Sequence, residues 1–246
     1  MRILMLDIET APTISAVWGL WNQNIGITQI LEPGYTLCWS AKWYGEKGVM
    51  FGSIRGGKDK MLRTIHRLME EADAVCHYNG LKFDLPTINK EFVLAGMSPP
   101  SPAKQIDLLR VVKGRFRLVS NKLDFVAQAL GLGKKIKTKG MELWFGCMHG
   151  DRAAWRSMER YNKQDVVLLE KLYTRLRPWI KHHPIHTLTG DRPLCPTCGS
   201  KEVNARGIAR TKVAEYRRFQ CKPCGSWFRD NVNLVPRNSK KYVGAA

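Results

Sequence analysis

Met1-Arg2-Ile3-Leu4-Met5-Leu6-Asp7-Ile8-Glu9-Thr10 opens the chain with an apolar run that ends in two acids. Side chains two apart on a strand share a face, so Asp7 and Glu9 point together while Ile8 turns toward a core. Asp-x-Glu arises by chance in many chains, and it gains weight only in company with other acids further along. Leu37 to Tyr44 and Gly48 to Ile54 read as two further strands, joined by a turn at Tyr44-Gly45-Glu46-Lys47. Lys58 to Ala72 has Met61, Leu62, Ile65, Leu68 and Met69 at helical spacing, and Ala74 to Tyr78 is strand-like. Helix returns at Leu85 to Ala95, and Lys104 to Val111 reads as another strand. Ser120 is a candidate cap for a helix that stops at Gly131, and Trp155 to Trp179 keeps a helical rhythm through Val166, Leu169, Leu172 and Leu176. Strands first, then strands alternating with helices, predict an α/β domain with a mixed sheet.

Two further acidic elements lie on this frame. Asn79-Gly80-Leu81-Lys82-Phe83-Asp84 falls where a strand hands over to a helix; taken alone, Asn79-Gly80 is a turn and Asp84 a helix cap. In Tyr161-Asn162-Lys163-Gln164-Asp165 the separation of four brings phenol and carboxylate onto one helix face. Asp107 also ends a strand, but a buried hydrogen-bonding role serves it equally well, so it stays outside the ligand set.

Asp-x-Glu, Asn-xxx-Phe-Asp and Tyr-xxx-Asp, in that order on strand, strand-to-helix loop and helix, resemble the three motifs of the DEDD exonuclease superfamily. The tyrosine assigns the resemblance to the DEDDy branch, which includes proofreading domains of DNA polymerases. The sister branch carries histidine one residue upstream, where this chain has Arg160. The resemblance covers about residues 1–180 and implies an RNase H-like, five-stranded mixed sheet flanked by helices. It also implies two Mg²⁺ or Mn²⁺ ions, about 3.5–4 Å apart in such sites, to activate water and neutralise developing charge. By carry-over, Asp7, Glu9 and Asp165 hold the ion on the attacking water, Asp7 bridges to the second ion, and Asp84 supports that ion through water. Tyr161 orients the water, and Asn79 and Phe83 shape the floor under the terminal nucleotide.

Seven cysteines divide unevenly. Cys195, Cys198, Cys221 and Cys224 form two CxxC-Gly knuckles suited to one structural Zn²⁺, whereas Cys38, Cys76 and Cys147 stand alone as core thiols. Strand-like alternation around Val213, Tyr216 and Phe219, followed by Trp227-Phe228, makes the module look like a zinc ribbon. The expected organisation is an exonuclease domain over 1–180, a linker over 181–193, a zinc ribbon over 194–232 and a basic tail over 233–246. His182, His183 and His186 are read as linker residues, because no helix aims them at one ion.

Composition favours the same partner. Forty Lys and Arg against 21 Asp and Glu leave a charge of +19 on 246 residues, a field that draws nucleic acid. Arg110, Lys113, Arg115, Arg117 and Lys122 form one basic cluster, and Lys134, Lys135, Lys137 and Lys139 another; each reads as a phosphate track or as a solvated loop. With no apolar run near the ~20 residues a bilayer demands and no signal pattern at Met1, the expected address is cytoplasmic, the host cytoplasm if phage-encoded. The function expected is 3′-to-5′ hydrolysis of DNA, single-stranded or frayed, to nucleoside 5′-monophosphates. The length leaves no room for a polymerase domain, which suggests a stand-alone enzyme or a proofreader for a separate, phage-like polymerase. RNA processing on the same fold, a DDE-type transposase and a non-catalytic nucleic-acid adaptor are the alternatives. The zinc module holds the substrate or docks a partner.

Overall fold

A computed structural model describes residues 1–184 and 193–236. The chain divides into two compact units, Met1–Thr174 and Arg175–Ala246. The first begins with β1 (Ile3–Thr10), the short strands β2 (Ile14–Ser15) and β3 (Ile30–Glu32), β4 (Thr36–Trp43) and β5 (Met50–Ser53). It continues through α1 (Lys58–Glu70), β6 (Ala74–His77), α2 (Asp84–Leu94) and β7 (Lys104–Asp107), then α3 (Leu108–Arg115), α4 (Leu123–Ala129), α5 (Met141–Met148) and α6 (Arg152–Leu176).

Five strands form one sheet in the order β5-β4-β1-β6-β7. β1 runs antiparallel to β4 and parallel to β6, β4 is antiparallel to β5, and β6 is parallel to β7. The sheet is therefore mixed, with helices against it, as an RNase H-like fold requires. Its central strand is the one that carries Asp7 and Glu9. Leu4, Leu6 and Ile8 pack on one face with Trp39, Ala41 and Trp43 and with the apolar sides of α1 and α2. By the alternation of the strand, Asp7 and Glu9 face the other way. There, Leu143 and Cys147 of α5 and Trp155 and Met158 of α6 form a second core cluster with Leu37 and Cys38. Cys38 is fully buried opposite Glu9 in the β1–β4 ladder, which is irregular between Glu9 and Thr10.

Three local expectations need correction. The strand begun at Lys104 stops at Asp107, and the apolar run Leu108-Leu109-Arg110-Val111-Val112 is helix α3. Asp107 causes the switch: its carboxylate accepts from the backbone N–H groups of Leu109 and Arg110, the bonds of an N-cap. Ser120 does not cap α4, which starts after Lys122 without a side-chain cap. Helix α5 and the β2–β3 pair lie in stretches where no element is expected.

The second unit holds a three-stranded antiparallel sheet, β8 (Val203–Arg210), β9 (Glu215–Cys221) and β10 (Trp227–Arg229), in the order β10-β9-β8. Residues 185–192 of the expected linker, His186 among them, and residues 237–246 of the expected tail lie outside the described residues. Among the described residues no helix is long and apolar enough to cross a membrane.

Candidate metal centres

Asp7, Glu9 and Asp165 each offer a carboxylate oxygen within 4.8 Å of the others. Asp7 and Glu9 come from the end of β1 and Asp165 from the middle of α6, so residues far apart in the chain meet where the helix crosses the sheet. A four-residue step along α6 sets Tyr161 beside Asp165, its ring edge-on to Trp144 at 6.1 Å between centroids. Asp84, in the first turn of α2, is not one of the three clustered carboxylates. Its Oδ1 accepts from the backbone N–H of Ile8 at 3.2 Å, which ties the start of α2 to β1 between the two acids.

The electrostatics are those of crowded anions. Burial first, then Glu9, Asp84 and Asp165, push the Asp7 carboxyl well above its ordinary range. Burial likewise raises Glu9 to about 8; Lys135 and a hydrogen bond with Trp144 draw it down, while Asp165 and Asp84 push it up. Asp84 is raised to about 6, again chiefly by burial. Such a cluster is costly when charged and unpaired, and a divalent cation relieves it. Asp165 is raised too, chiefly by burial, against the pull of Lys135 and of hydrogen bonds from Lys135 and Tyr161. All the donors are hard oxygens, matching Mg²⁺ or Mn²⁺ better than a soft-ligand metal.

Three residues outside the expected set complete the site. Lys135 Nζ lies 2.7 Å from Asp165 Oδ2 and 5.1 Å from the centre of the Tyr161 ring. Burial works against its charged form, yet Asp165 and Tyr161 hold it far above the usual lysine range, so it stays cationic. Its backbone N–H is fixed in turn by Asp124 Oδ1 at 2.7 Å. Asn162, fully buried, donates from Nδ2 to Asp7 Oδ2 at 2.6 Å, and Trp144 reaches Glu9. Asn162 had a signal in the sequence, since it precedes Asp165 by three and so shares its helix face. Lys135 reads in the sequence only as one member of a basic cluster, and Trp144 carries no signal, because they arrive from a loop and from α5.

Asn79 and Phe83 sit in the turn between β6 and α2. Asn79 has a left-handed backbone, φ 71°, and its N–H donates to Asp107 Oδ1 at 3.0 Å; Phe83 is 47% exposed. A β-carbon on Gly80 would collide with the His77 ring, whose Nδ1 accepts the Gly80 N–H at 3.0 Å. Asp107 thus organises this turn from beneath. A cavity of about 710 Å³ is lined by Lys137, Lys139, Met141, Phe145 and Arg160, the last adjacent in sequence to Tyr161.

In the second unit Cys195, Cys198, Cys221 and Cys224 place their sulfurs within 4.8 Å of one another. The Cys195–Cys224 and Cys198–Cys221 sulfurs are each 3.6 Å apart. A tetrahedron with Zn–S bonds of about 2.3 Å has edges of about 3.8 Å, so the spacing fits one tetrahedral ion. Burial works to raise the Cys224 thiol, but the Ser226 hydroxyl and backbone bring it down to about 7, toward the thiolate a metal needs.

A family model described as RNase_H_2, of the RNase_H superfamily, matches residues 45–177, more than half of the chain. The match takes in Asp84, Tyr161 and Asp165 and begins after β1. Among solved structures, the chain is similar to the family B DNA polymerase from the hyperthermophilic archaeon Pyrobaculum calidifontis, with a TM-score of 0.56 and 19% identity. The similarity covers 72% of this chain but 24% of the polymerase, so the chain spans about a quarter of that protein. No curated protein sequence matches.

Proposed function

The chain belongs to the RNase H superfamily, and from that premise we propose that it is a divalent-metal-dependent 3′-to-5′ exonuclease of the DEDDy type acting on DNA ends. One observation carries the reading: Asp7, Glu9 and Asp165 converge within 4.8 Å, with Tyr161 one helical turn from Asp165. Asp7, Glu9 and Asp165 would hold the metal, and Asp84 would support a second ion from outside that group. When bound, two such ions neutralise charge on the scissile phosphate and make water nucleophilic near neutral pH.

The chain's own groups prepare that chemistry. Asn162 fixes the rotamer of Asp7, and the Ile8 N–H fixes Asp84, so the carboxylates are set before substrate arrives. Burial, then Asp165 and Glu9, raise the Tyr161 phenol further above its ordinary range. It therefore remains an O–H donor and serves to orient a water or a phosphate oxygen rather than to take its proton. Lys135 compensates Asp165 in the metal-free protein and supplies positive charge where the phosphate must lie. The cavity beside Arg160 is apolar at Met141 and Phe145 and carries Lys137, Lys139, Glu142 and Asp151 in its lining, with Lys139 paired to Glu142 at 3.0 Å; its apolar wall suits a nucleotide base.

In the second unit the four cysteines would hold one structural Zn²⁺. With that activity goes a role in editing 3′ ends beside a DNA polymerase, in keeping with the likeness to part of a family B polymerase, and copurification tests it. The decisive assay is digestion of 5′-labelled single- and double-stranded DNA and RNA with Mg²⁺, with Mn²⁺ or without either. The expected result is stepwise shortening of DNA from an unblocked 3′ end that requires metal. Internal cuts, or equal activity on a 3′-blocked strand, would overturn the exonuclease reading; preference for RNA would reassign the substrate.

A further inference from the structure

The three-stranded sheet of the second unit has two unlike faces. In the β9–β10 ladder Phe228 lies opposite Phe219, and their rings stack at 5.4 Å and 22°. Phe228 also packs against the buried cysteines, so this face closes over the metal site. By the alternation of the strands, the opposite face carries Tyr216, Arg218 and Gln220 of β9 and Trp227 and Arg229 of β10.

That second face has an uncommon charge pattern. Arg218 and Arg229 are directly opposite each other, and like charges in facing positions destabilise a strand pair. Neither guanidinium meets a carboxylate among the described residues. Arg218 Nε donates to the Arg206 carbonyl at 3.0 Å and Arg229 Nη1 to the Asp230 carbonyl at 3.1 Å. Each also lies over an aromatic ring, Arg229 at 3.7 Å from Tyr216 and Arg218 at 5.2 Å from Trp227. Trp227 is 54% exposed. The nearby Glu215 is engaged elsewhere, by Arg210 at 2.9 Å. Two cations, each over an aromatic ring and without a counter-ion among the described residues, match a ligand that offers both anionic groups and flat π surfaces.

We infer that this face is a binding site for single-stranded nucleic acid. One unstacked base lies against the exposed indole of Trp227, another against the guanidinium plane of Arg229 backed by Tyr216, and the intervening phosphate meets Arg218 and Arg229. A duplex keeps its bases stacked on each other and presents no free π face. An acidic peptide satisfies the arginines but leaves Trp227 uncovered. The site belongs to the second unit and does not depend on the activity assigned to the first.

The test uses the full chain with zinc bound and no added Mg²⁺ or Mn²⁺, so that nothing is cut. The probe is a fluorescein-labelled single-stranded oligothymidylate, with the matching duplex and polyglutamate as controls. Trp227→Ala is expected to weaken oligothymidylate binding by roughly tenfold through lost stacking while leaving the salt dependence unchanged. Arg218→Gln with Arg229→Gln is expected to weaken it and to lower the slope of log affinity against log salt by about 0.7 for each phosphate no longer neutralised. Zinc content checks that the sheet survives. Should the glutamine pair release zinc, Arg218→Lys with Arg229→Lys decides: charge and salt slope remain, and affinity still drops because ammonium groups offer no plane for a base. Wild-type affinity in the Trp227 variant, or polyglutamate competing as well as oligothymidylate, overturns the site.

Discussion

The two candidate metal centres of this protein stand on opposite kinds of foundation. The carboxylates project from β1 and α6, and the reverse side of β1 belongs to a core that includes Leu4, Leu6, Ile8, Trp39 and Phe92. The thiols sit in a unit whose buried apolar side chains, cysteines aside, are Ala214, Phe219 and Leu176 among the described residues. In the first, folding assembles an acidic cluster against its own repulsion, with Lys135 and Asn162 to hold it. In the second there is little apolar burial to oppose chain entropy, so a bound ion would supply much of the folding free energy. One site is made by the fold, and the other would be made by its ion.

The largest expected effect separates them. Removing zinc, or replacing Cys198 with serine, should unfold the β8–β10 sheet, since a structural zinc contributes on the order of 10 kcal/mol. The main thermal transition of residues 1–174 should persist, and limited proteolysis with mass analysis of the surviving fragment distinguishes the units. Complete loss of structure in both would erase the contrast. Next in size, Asp7→Asn should lower nuclease turnover by about a thousandfold or more, several kcal/mol of transition-state stabilisation. Its melting temperature without divalent ions should equal or exceed that of the wild type, because one repelling charge is gone. A folded variant with full turnover would remove Asp7 from the chemistry.

A pH series sharpens the same point. With Asp84 raised to about 6 and Glu9 to about 8, the folded, metal-free protein binds more protons than the unfolded chain. The stability from these groups is therefore greatest in the acid range and falls as pH rises through those values. Added Mg²⁺ or Mn²⁺ should raise the melting temperature more at pH 8 than at pH 5, and a pH-independent gain would contradict the crowding of the carboxylates. The smallest effect belongs to Asn162→Ala, which frees the Asp7 carboxylate without touching its charge. The metal concentration for half-maximal activity should rise about 10- to 100-fold, with turnover at saturating metal less affected.

These contrasts run along the grain of what the sequence discloses. Local periodicity reveals the shared face of Asp7 and Glu9 and the helical step from Tyr161 to Asp165, because both depend on neighbours two to four residues away. The paired CxxC spacing is equally local. Asp107 shows where such reading stops: Leu108 to Val112 suits a strand or a helix, and a single side-chain cap decides between them. Lys135, Trp144 and Asn162 act on residues remote in the chain, up to 155 positions away for Asn162 and Asp7, which only the crossing of α6 over the sheet joins. The register that sets Arg218 against Arg229 is likewise a property of the folded β9–β10 pair.

Cys38 offers a clock on the strand that carries Asp7 and Glu9. It is fully buried, it faces Glu9 across the β1–β4 ladder, and burial holds its thiol well above the ordinary range. A thiol reagent reaches it only when the two strands part, so the rate of its alkylation reports how often that edge of the sheet breathes. Slower labelling on addition of Mg²⁺ would mean that an ion held at the end of β1 also staples the strand to its neighbour.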